Sequence, residues 1–289
     1  MLKALLKTMR PKQWAKNVFL FAALVFDRKL TNFDAILHTV IGVVAFSLIA
    51  SVVYIINDIA DVEADRLHPT KRNRPIAAGT LPISTARIFA LALLVIAFPI
   101  AFWLSPSFAL VALLYLVVNL IYSTWLKHVV LLDIILLASL YVIRVAAGVA
   151  LIEVVRFSPW IYVFTVFLAL LIGTGKRRAE LSELAGGPNN QRRVLEGYTL
   201  SFLDQLITLA SGMTIITYSL YTFSAPNLPE NHAMMFSIPF IIYSILRYQY
   251  MLQVKNTGSA PEELVLSDRP LQIAIVLWGL TVLVVFYIS

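Results

Sequence analysis

The chain has 289 residues, 60% of them hydrophobic, with mean hydropathy +0.82. Apolar segments of about 20 residues recur along its whole length, which excludes a soluble globular domain and describes membrane-spanning helices. The net charge of +7 sits in short loops between those segments, so nucleic acid is a poor explanation for it, and the absence of cysteine excludes a disulfide framework and thiol chemistry.

In chain order, residues 1–13 read as a basic interfacial segment carrying Lys3, Lys7, Arg10 and Lys12. It lacks a small-residue cleavage site, so no removable signal is expected. Pro11 breaks its helix, and Trp14 suits an interface anchor. A short span is expected over Trp14–Phe26, then spans over Ala35–Ile56, Ile83–Leu104, Phe108–Trp125 and Val130–Ile152. Ser105-Pro106-Ser107 reads as a tight turn. A sixth span begins at Pro159 and is expected to end at Lys176-Arg177-Arg178, before a polar loop containing Gly186-Gly187-Pro188-Asn189-Asn190. Spans over Phe202–Phe223, Met235–Val254 and Leu271–Ile288 complete the count. The expectation is one all-α transmembrane domain over 1–289 with about nine helices.

Charge placement gives an orientation. With the N-terminus in the cytoplasm, every Lys and Arg except Arg28, Lys29, Arg144 and Arg156 falls on the cytoplasmic side, as the positive-inside rule requires. The long polar loops then share one face. A site built from them takes a charged substrate from the cytoplasm and a lipid from the bilayer.

The second span delivers the most informative stretch, Asn57-Asp58-Ile59-Ala60-Asp61-Val62-Glu63-Ala64-Asp65. Asp58, Asp61 and Asp65 are spaced i, i+3, i+7, which puts three carboxylates on one helix face. Such a stripe ionises poorly without a cation. Mg²⁺ held by a few carboxylates takes its other ligands from phosphate and water. Lys71, Arg72 and Arg74 follow directly and suit further phosphate oxygens. Acids at the end of a membrane helix are costly, which weighs against a merely solvated loop.

Four other groups stand out. Asn119, Tyr122, Ser123 and Lys127 end the fourth span; Lys127 suits a phosphate and Tyr122 a hydrogen bond, although a snorkelling lysine and an interfacial tyrosine look the same. Asp133 and Arg144 lie about three turns apart within one span, too far to pair directly. A buried arginine needs an anion, either a lipid phosphate or a carboxylate from another helix. Lys176, Arg177 and Arg178 precede Glu180 and Glu183, an arrangement that suits a polyphosphate with metal or simply enforces topology. Glu262, Glu263, Asp268 and Arg269 read as an ordinary solvated linker. Gly-x-Ser-x-Gly, paired metal-spaced histidines and a Gly-x-x-x-x-Gly-Lys loop are all missing, so metal-assisted displacement fits better than covalent catalysis.

The motif Asn57-Asp58-x-x-Asp61-x-x-x-Asp65, followed by a basic Arg-Pro loop, resembles the UbiA-type intramembrane prenyltransferase superfamily across nearly the whole chain. The resemblance implies about nine helices around a central cavity and diphosphate binding through Mg²⁺. Aromatic-substrate members carry a second Asp-x-x-x-Asp motif after the sixth helix; here Lys176-Arg177-Arg178-Ala179-Glu180-Leu181 stands there. That stretch, Arg10-Pro11-Lys12-Gln13-Trp14-Ala15-Lys16-Asn17, and Pro261-Glu262-Glu263-Leu264 with Ser267-Asp268-Arg269-Pro270-Leu271-Gln272 resemble the decaprenyl-phosphate phosphoribosyltransferase branch. The resemblance implies transfer of 5-phosphoribose from phosphoribosyl diphosphate to a polyprenyl phosphate in the bacterial cytoplasmic membrane, giving a precursor of arabinan-type envelope sugars. Asp58, Asp61 and Asp65 then hold Mg²⁺. Lys71, Arg72, Arg74, Lys127, Lys176 and Arg177 are candidates for the donor phosphates, Lys16, Asn17 and Arg144 for the lipid phosphate, and Asn57, Tyr122 and Arg178 for substrate binding on either side.

Two rivals differ in kind. An aromatic prenyltransferase would need the missing second acidic motif. A secondary transporter would suit Asp133 and Arg144, but the two halves show no repeat and the polar residues crowd one face. The charge bias makes a direct prediction: cysteines introduced at Asn189 and Ser289 label from opposite sides of intact cells with an impermeant reagent. Labelling from one side only refutes the orientation.

Overall fold

In the computed structural model, all residues except 153, 155–157, 185–192, 227, 256–260 and 289 are described. Twelve α-helices form among the described residues: α1 Leu2–Met9, α2 Phe21–Phe26, α3 Phe33–Ala60, α4 Val62–Leu67, α5 Ile83–Leu104, α6 Pro106–Thr124, α7 Leu132–Leu151, α8 Pro159–Leu184, α9 Leu200–Ser224, α10 Ile238–Gln253, α11 Pro261–Ser267 and α12 Arg269–Tyr287. Among the described residues seven of them, α3, α5 to α9 and α12, are long and apolar enough to cross a membrane. Two other expected spans are shorter composites. Pro11–Leu20 is a 3₁₀ segment leading into α2, and Ala233–Ser237 is a 3₁₀ segment leading into α10.

Local chemistry explains the boundaries. Asn32 caps α3 by accepting the Ala35 N–H at 3.0 Å, and Thr199 caps α9 through the Phe202 N–H at 3.1 Å. The expected turn at Ser105–Ser107 is tighter than its sequence suggests. Ser105 ends α5 and also caps α6, whose first residue is Pro106, a position that costs proline no hydrogen bond. α8 does not stop at Lys176-Arg177-Arg178, because carboxylates of neighbouring helices neutralise the two arginines and the helix runs on. The stretch at Pro261 expected to be a linker is α11, and Asp268 caps α12. The loop around Gly186–Asn190, Arg156 and Ser289 lie outside the described residues.

The chain divides into two compact units. The first, Met1–Leu126 with Ile143–Glu153, is organised on α3, which packs against α1, α2, the Pro11–Leu20 segment, α5 and α6. Its buried face carries Ala45, Phe46, Ile49, Ala50, Val52, Val53 and Ile55. The second, Lys127–Val142 with Val154–Ser289, is built on α8 against α9, with α10, α11 and α12 added.

Within the first unit the second half of α7 lies directly on backbone. A Cβ on Gly148 would stand 2.0 Å from the Leu20 carbonyl oxygen. Backbone cannot move aside as a side-chain tip can, so Gly148→Ala is predicted to destabilise by about 1–3 kcal/mol. The check is thermal unfolding in detergent, with a fall of several degrees expected; an unchanged midpoint would contradict this packing.

Candidate active site

The acidic stretch does not form one uninterrupted helix face. α3 ends at Ala60, Asp61 forms the junction with φ −95° and ψ 8°, and α4 resumes at Val62. Two i→i+4 bonds carry the helical path across the break: Asp61 N–H donates to the Asn57 carbonyl at 2.9 Å and Asp65 N–H to the Asp61 carbonyl at 2.8 Å. Asp58 and Asp65 therefore still face the same way. Both are buried, at 2% and 3% exposure, while Asp61 is half-buried. One nitrogen of Arg74 joins them, donating to Asp58 Oδ1 at 3.2 Å and to Asp65 Oδ2 at 2.5 Å. Arg10 donates to the same Asp58 oxygen and lies 5.2 Å from the centre of the Tyr54 ring. Asn57 Oδ1 is buried with no hydrogen-bond partner among the described residues.

Arg74 comes from a basic turn with its own support. Lys71–Asn73 is a 3₁₀ turn, and the N–H groups of Thr70 and Lys71 both donate to His68 Nδ1 at 3.3 Å. His68 therefore does for this turn what an N-cap does for a helix. Burial, then Lys71, holds its imidazole below the usual histidine range, which keeps Nδ1 an acceptor. Lys7 Nζ donates to the Asn73 carbonyl at 3.0 Å, tying α1 to the turn. Lys71 is half-buried and Arg72 exposed.

A second polar group lies deeper in the same unit. Arg144 is 4% exposed; its Nε donates to Asn17 Oδ1 at 3.1 Å, its Nη2 to the Tyr115 hydroxyl at 2.8 Å, and its guanidinium stands 4.9 Å from the Tyr115 ring centre. Asn17 Nδ2 donates in turn to Ser47 Oγ at 2.8 Å, which fixes the amide. Lys16 adjoins it, half-buried.

In the second unit the basic cluster is internally neutralised. Arg177 is fully buried, and its Nε donates to Asp133 Oδ2 at 2.5 Å while Nη1 pairs with Glu180. The Tyr198 hydroxyl donates to Asp133 Oδ1 at 2.5 Å and accepts the Leu131 N–H at 2.7 Å. Burial and that carboxylate push the Tyr198 phenol up. Arg178 donates from Nε to Asp204 at 2.8 Å and from Nη1 to the Leu252 carbonyl at 2.6 Å. Asp133 and Arg144 thus each find partners within their own unit.

Of the residues singled out by sequence, the structure brings together Asp58, Asp65 and Arg74, separately Asn17 and Arg144, and in the second unit Asp133, Arg177 and Glu180. Asn57, Asp61, Lys71 and Arg72 lie on the same stretch as the first group. Tyr122 and Lys127 are half-buried near the end of α6 and on the 3₁₀ turn Leu126–His128, and Lys176 is half-buried on α8. Sequence reasoning missed Arg10, Tyr115 and Tyr198 as partners. Arg10-Pro11 was a visible signal, whereas nothing local marked Tyr115 or Tyr198. No three His, Cys, Asp or Glu among the described residues converge as a metal cage. The donor chemistry nevertheless fits a hard cation, because two buried carboxylates already close on the positive charge of Arg74.

Long apolar helices with a buried acidic stretch beside a basic turn describe a membrane protein with a polar site at a helix end. The chain belongs to the UbiA prenyltransferase family, whose model matches residues 18–276. It is 37% identical to the decaprenyl-phosphate phosphoribosyltransferase of Mycobacterium tuberculosis, over 96% of this chain and 92% of that one. With the protein of the same name from Mycolicibacterium smegmatis it shares 34% identity, over 100% and 94% of the two chains. Its fold is similar to that of a UbiA homolog from Archaeoglobus fulgidus solved bound to DMAPP and Mg²⁺, with a TM-score of 0.74, 20% identity and 99% of both chains covered.

The contrast between Arg177 and Arg72 is testable. Arg177→Ala strands Asp133 in a buried site, a change that costs about 3–5 kcal/mol. It should sharply reduce the monodisperse fraction in size-exclusion chromatography, with Arg177→Lys a partial rescue because an ammonium cannot copy the guanidinium fork. Arg72→Ala, on an exposed side chain, should elute as the parent does. Equal stability of the parent and Arg177→Ala proteins would remove the structural role from Arg177.

Proposed function

We propose that this protein transfers 5-phosphoribose from phosphoribosyl diphosphate to a polyprenyl phosphate, releasing pyrophosphate. The observation that carries the reading is the pair of buried carboxylates, Asp58 and Asp65, closed on a guanidinium and flanked by a basic turn. The names of the relatives support the same reaction. A phosphate oxygen of the lipid attacks the anomeric carbon, the bond from that carbon to the diphosphate breaks, and the electron pair leaves with pyrophosphate. The attacking phosphate is already ionised at neutral pH, so no strong base is needed.

Each residue then has a physical task. Asp58, Asp61 and Asp65 would hold Mg²⁺, which would supply positive charge against the diphosphate. Lys71, Arg72 and Arg74 hold donor phosphate oxygens, and Asn57 Oδ1 offers a buried acceptor beside them. Lys16, Asn17 and Arg144 place the lipid phosphate, with Tyr115 and Ser47 fixing the orientation of Arg144 and Asn17. Positioning and electrostatics supply the rate enhancement. The placement of basic residues supports an N-terminus and donor site on the cytoplasmic side. The product is polyprenyl-phosphoryl-5-phosphoribose, the kind of activated pentose that arabinan-type envelope sugars require.

The aromatic prenyltransferase reading loses support from α8. Where a second acidic motif would stand, Arg177 and Arg178 are engaged with Asp133, Glu180 and Asp204.

The test is incubation of purified protein with radiolabelled phosphoribosyl diphosphate and polyprenyl phosphate. Labelled lipid should form with Mg²⁺ and vanish in excess chelator. Asp58→Asn and Asp61→Asn should each cut turnover by orders of magnitude while remaining folded. Transfer from a prenyl diphosphate to an aromatic acid, with no labelled lipid, would replace this reading by its rival.

A further inference from the structure

The acidic site carries more positive charge than a single bridging arginine supplies. Asp58 Oδ1 receives both Arg74 and Arg10, and Asp65 receives Arg74. Arg10 does not come from the basic turn. It is the residue that closes α1, and its backbone sits in the left-handed region at φ 53° and ψ 62°. For a residue with a Cβ that conformation is unfavourable and is kept only when surrounding contacts hold it. Its side chain is 29% exposed, whereas those of Asp58 and Asp65 are at 2% and 4%.

We infer that Arg10 is an interim counter-ion that holds the acidic site closed until a divalent cation loads, so that loading releases Arg10 and loosens α1. The inference rests on the reading of Asp58, Asp61 and Asp65 as metal ligands. Both guanidinium groups sit on Asp58 Oδ1, so a divalent cation that takes either oxygen of that carboxylate meets two positive charges close by, and the repulsion favours release of one. Arg74 grips two carboxylates and is anchored in a turn capped by His68. Arg10 grips one, from a strained backbone position, and is exposed about as much as Arg74 (29% against 26%), so its single contact and its strain mark it as the one that goes. Its departure matters to α1 because it removes one of the polar ties that hold that helix at the site. Lys7 bonds the Asn73 carbonyl at 3.0 Å, and Ser51 Oγ bonds the Met9 carbonyl at 3.1 Å. A released Arg10 carries its charge to the edge of the same site, where an incoming diphosphate needs cations.

The experiment reads metal binding and helix motion, not turnover. Mn²⁺ affinity is measured by electron paramagnetic resonance on purified protein without donor, for the parent chain and Arg10→Gln. Removing a competing charge-assisted bond should tighten Mn²⁺ binding about tenfold. In parallel, Leu2→Cys gives a unique attachment point for a nitroxide, since the chain has no cysteine. With Arg10 intact, Mg²⁺ should increase the mobility of that label; with Arg10→Gln the label should be mobile from the start and unresponsive. Equal or weaker Mn²⁺ binding by Arg10→Gln overturns the inference. So does a label unmoved by Mg²⁺ in a protein with Arg10 intact that binds Mn²⁺, an outcome independent of how the variant folds. If neither protein binds Mn²⁺ even with inorganic pyrophosphate present, the metal-ligand reading of the acids fails and the inference falls with it.

Discussion

Everything about this site depends on the cost of burying a carboxylate at the end of an apolar helix. An isolated charge removed from water in a low-dielectric interior is unfavourable by many kcal/mol, so it must be paired or neutralised. Asp58 and Asp65 are almost fully buried, and the chain answers with Arg74 from a loop sixteen residues on from Asp58 and Arg10 from α1. That requirement shapes the neighbourhood: the 3₁₀ turn that aims Arg74, the histidine that caps the turn, and the left-handed residue that ends α1.

The second unit meets the same constraint in a different way. Asp133 is as buried as Asp58, yet its partners close around it completely: Arg177 on one oxygen and the Tyr198 hydroxyl on the other. Arg178 is likewise shared between Asp204 and a backbone carbonyl. Carboxylate and guanidinium there serve each other and tie α7, α8 and the segment before α9 together. The first-unit acids instead share cations that come from a partly exposed turn and a partly exposed helix end. Geometry of this kind separates a structural ion pair from one that a ligand can enter, and formal charge alone does not.

That distinction explains what was legible in the sequence. Hydropathy located the long helices because a bilayer-length apolar run has few alternatives, and α5 matches its expected limits at both ends. The pairing of Asp58 with Asp65 was legible because period and residue type agree, whereas Asp61 stands at the break between α3 and α4. Two features were not. The run Lys176-Arg177-Arg178 resembles a helix terminus, since cations favour C-termini, but Asp133 and Asp204 lie 44 and 26 residues away in the chain and reverse its meaning. Pro11–Leu20 mixes Lys12, Gln13, Lys16 and Asn17 with apolar residues and Ala233–Ser237 is mostly apolar, yet both take 3₁₀ geometry, and composition does not report which hydrogen-bond register a short segment adopts.

Charge balance at the acidic site also bears on how a polyanionic donor is accepted. Asp58 and Asp65 together carry about as much negative charge as Arg10 and Arg74 carry positive, so those two guanidinium groups are already engaged by carboxylates when a diphosphate arrives. An anion entering alone would have to compete with two carboxylates for the same guanidinium groups. A divalent cation entering alone would meet those guanidinium groups on the carboxylates it needs. When both enter, each resolves the obstacle to the other: the cation takes the acids, and the displaced arginine charge joins Lys71 and Arg72 on the phosphates. On the proposed reaction, metal and donor binding are therefore mutually reinforcing through the same ion pairs that neutralise the acids, and by linkage the coupling must be equal in both directions.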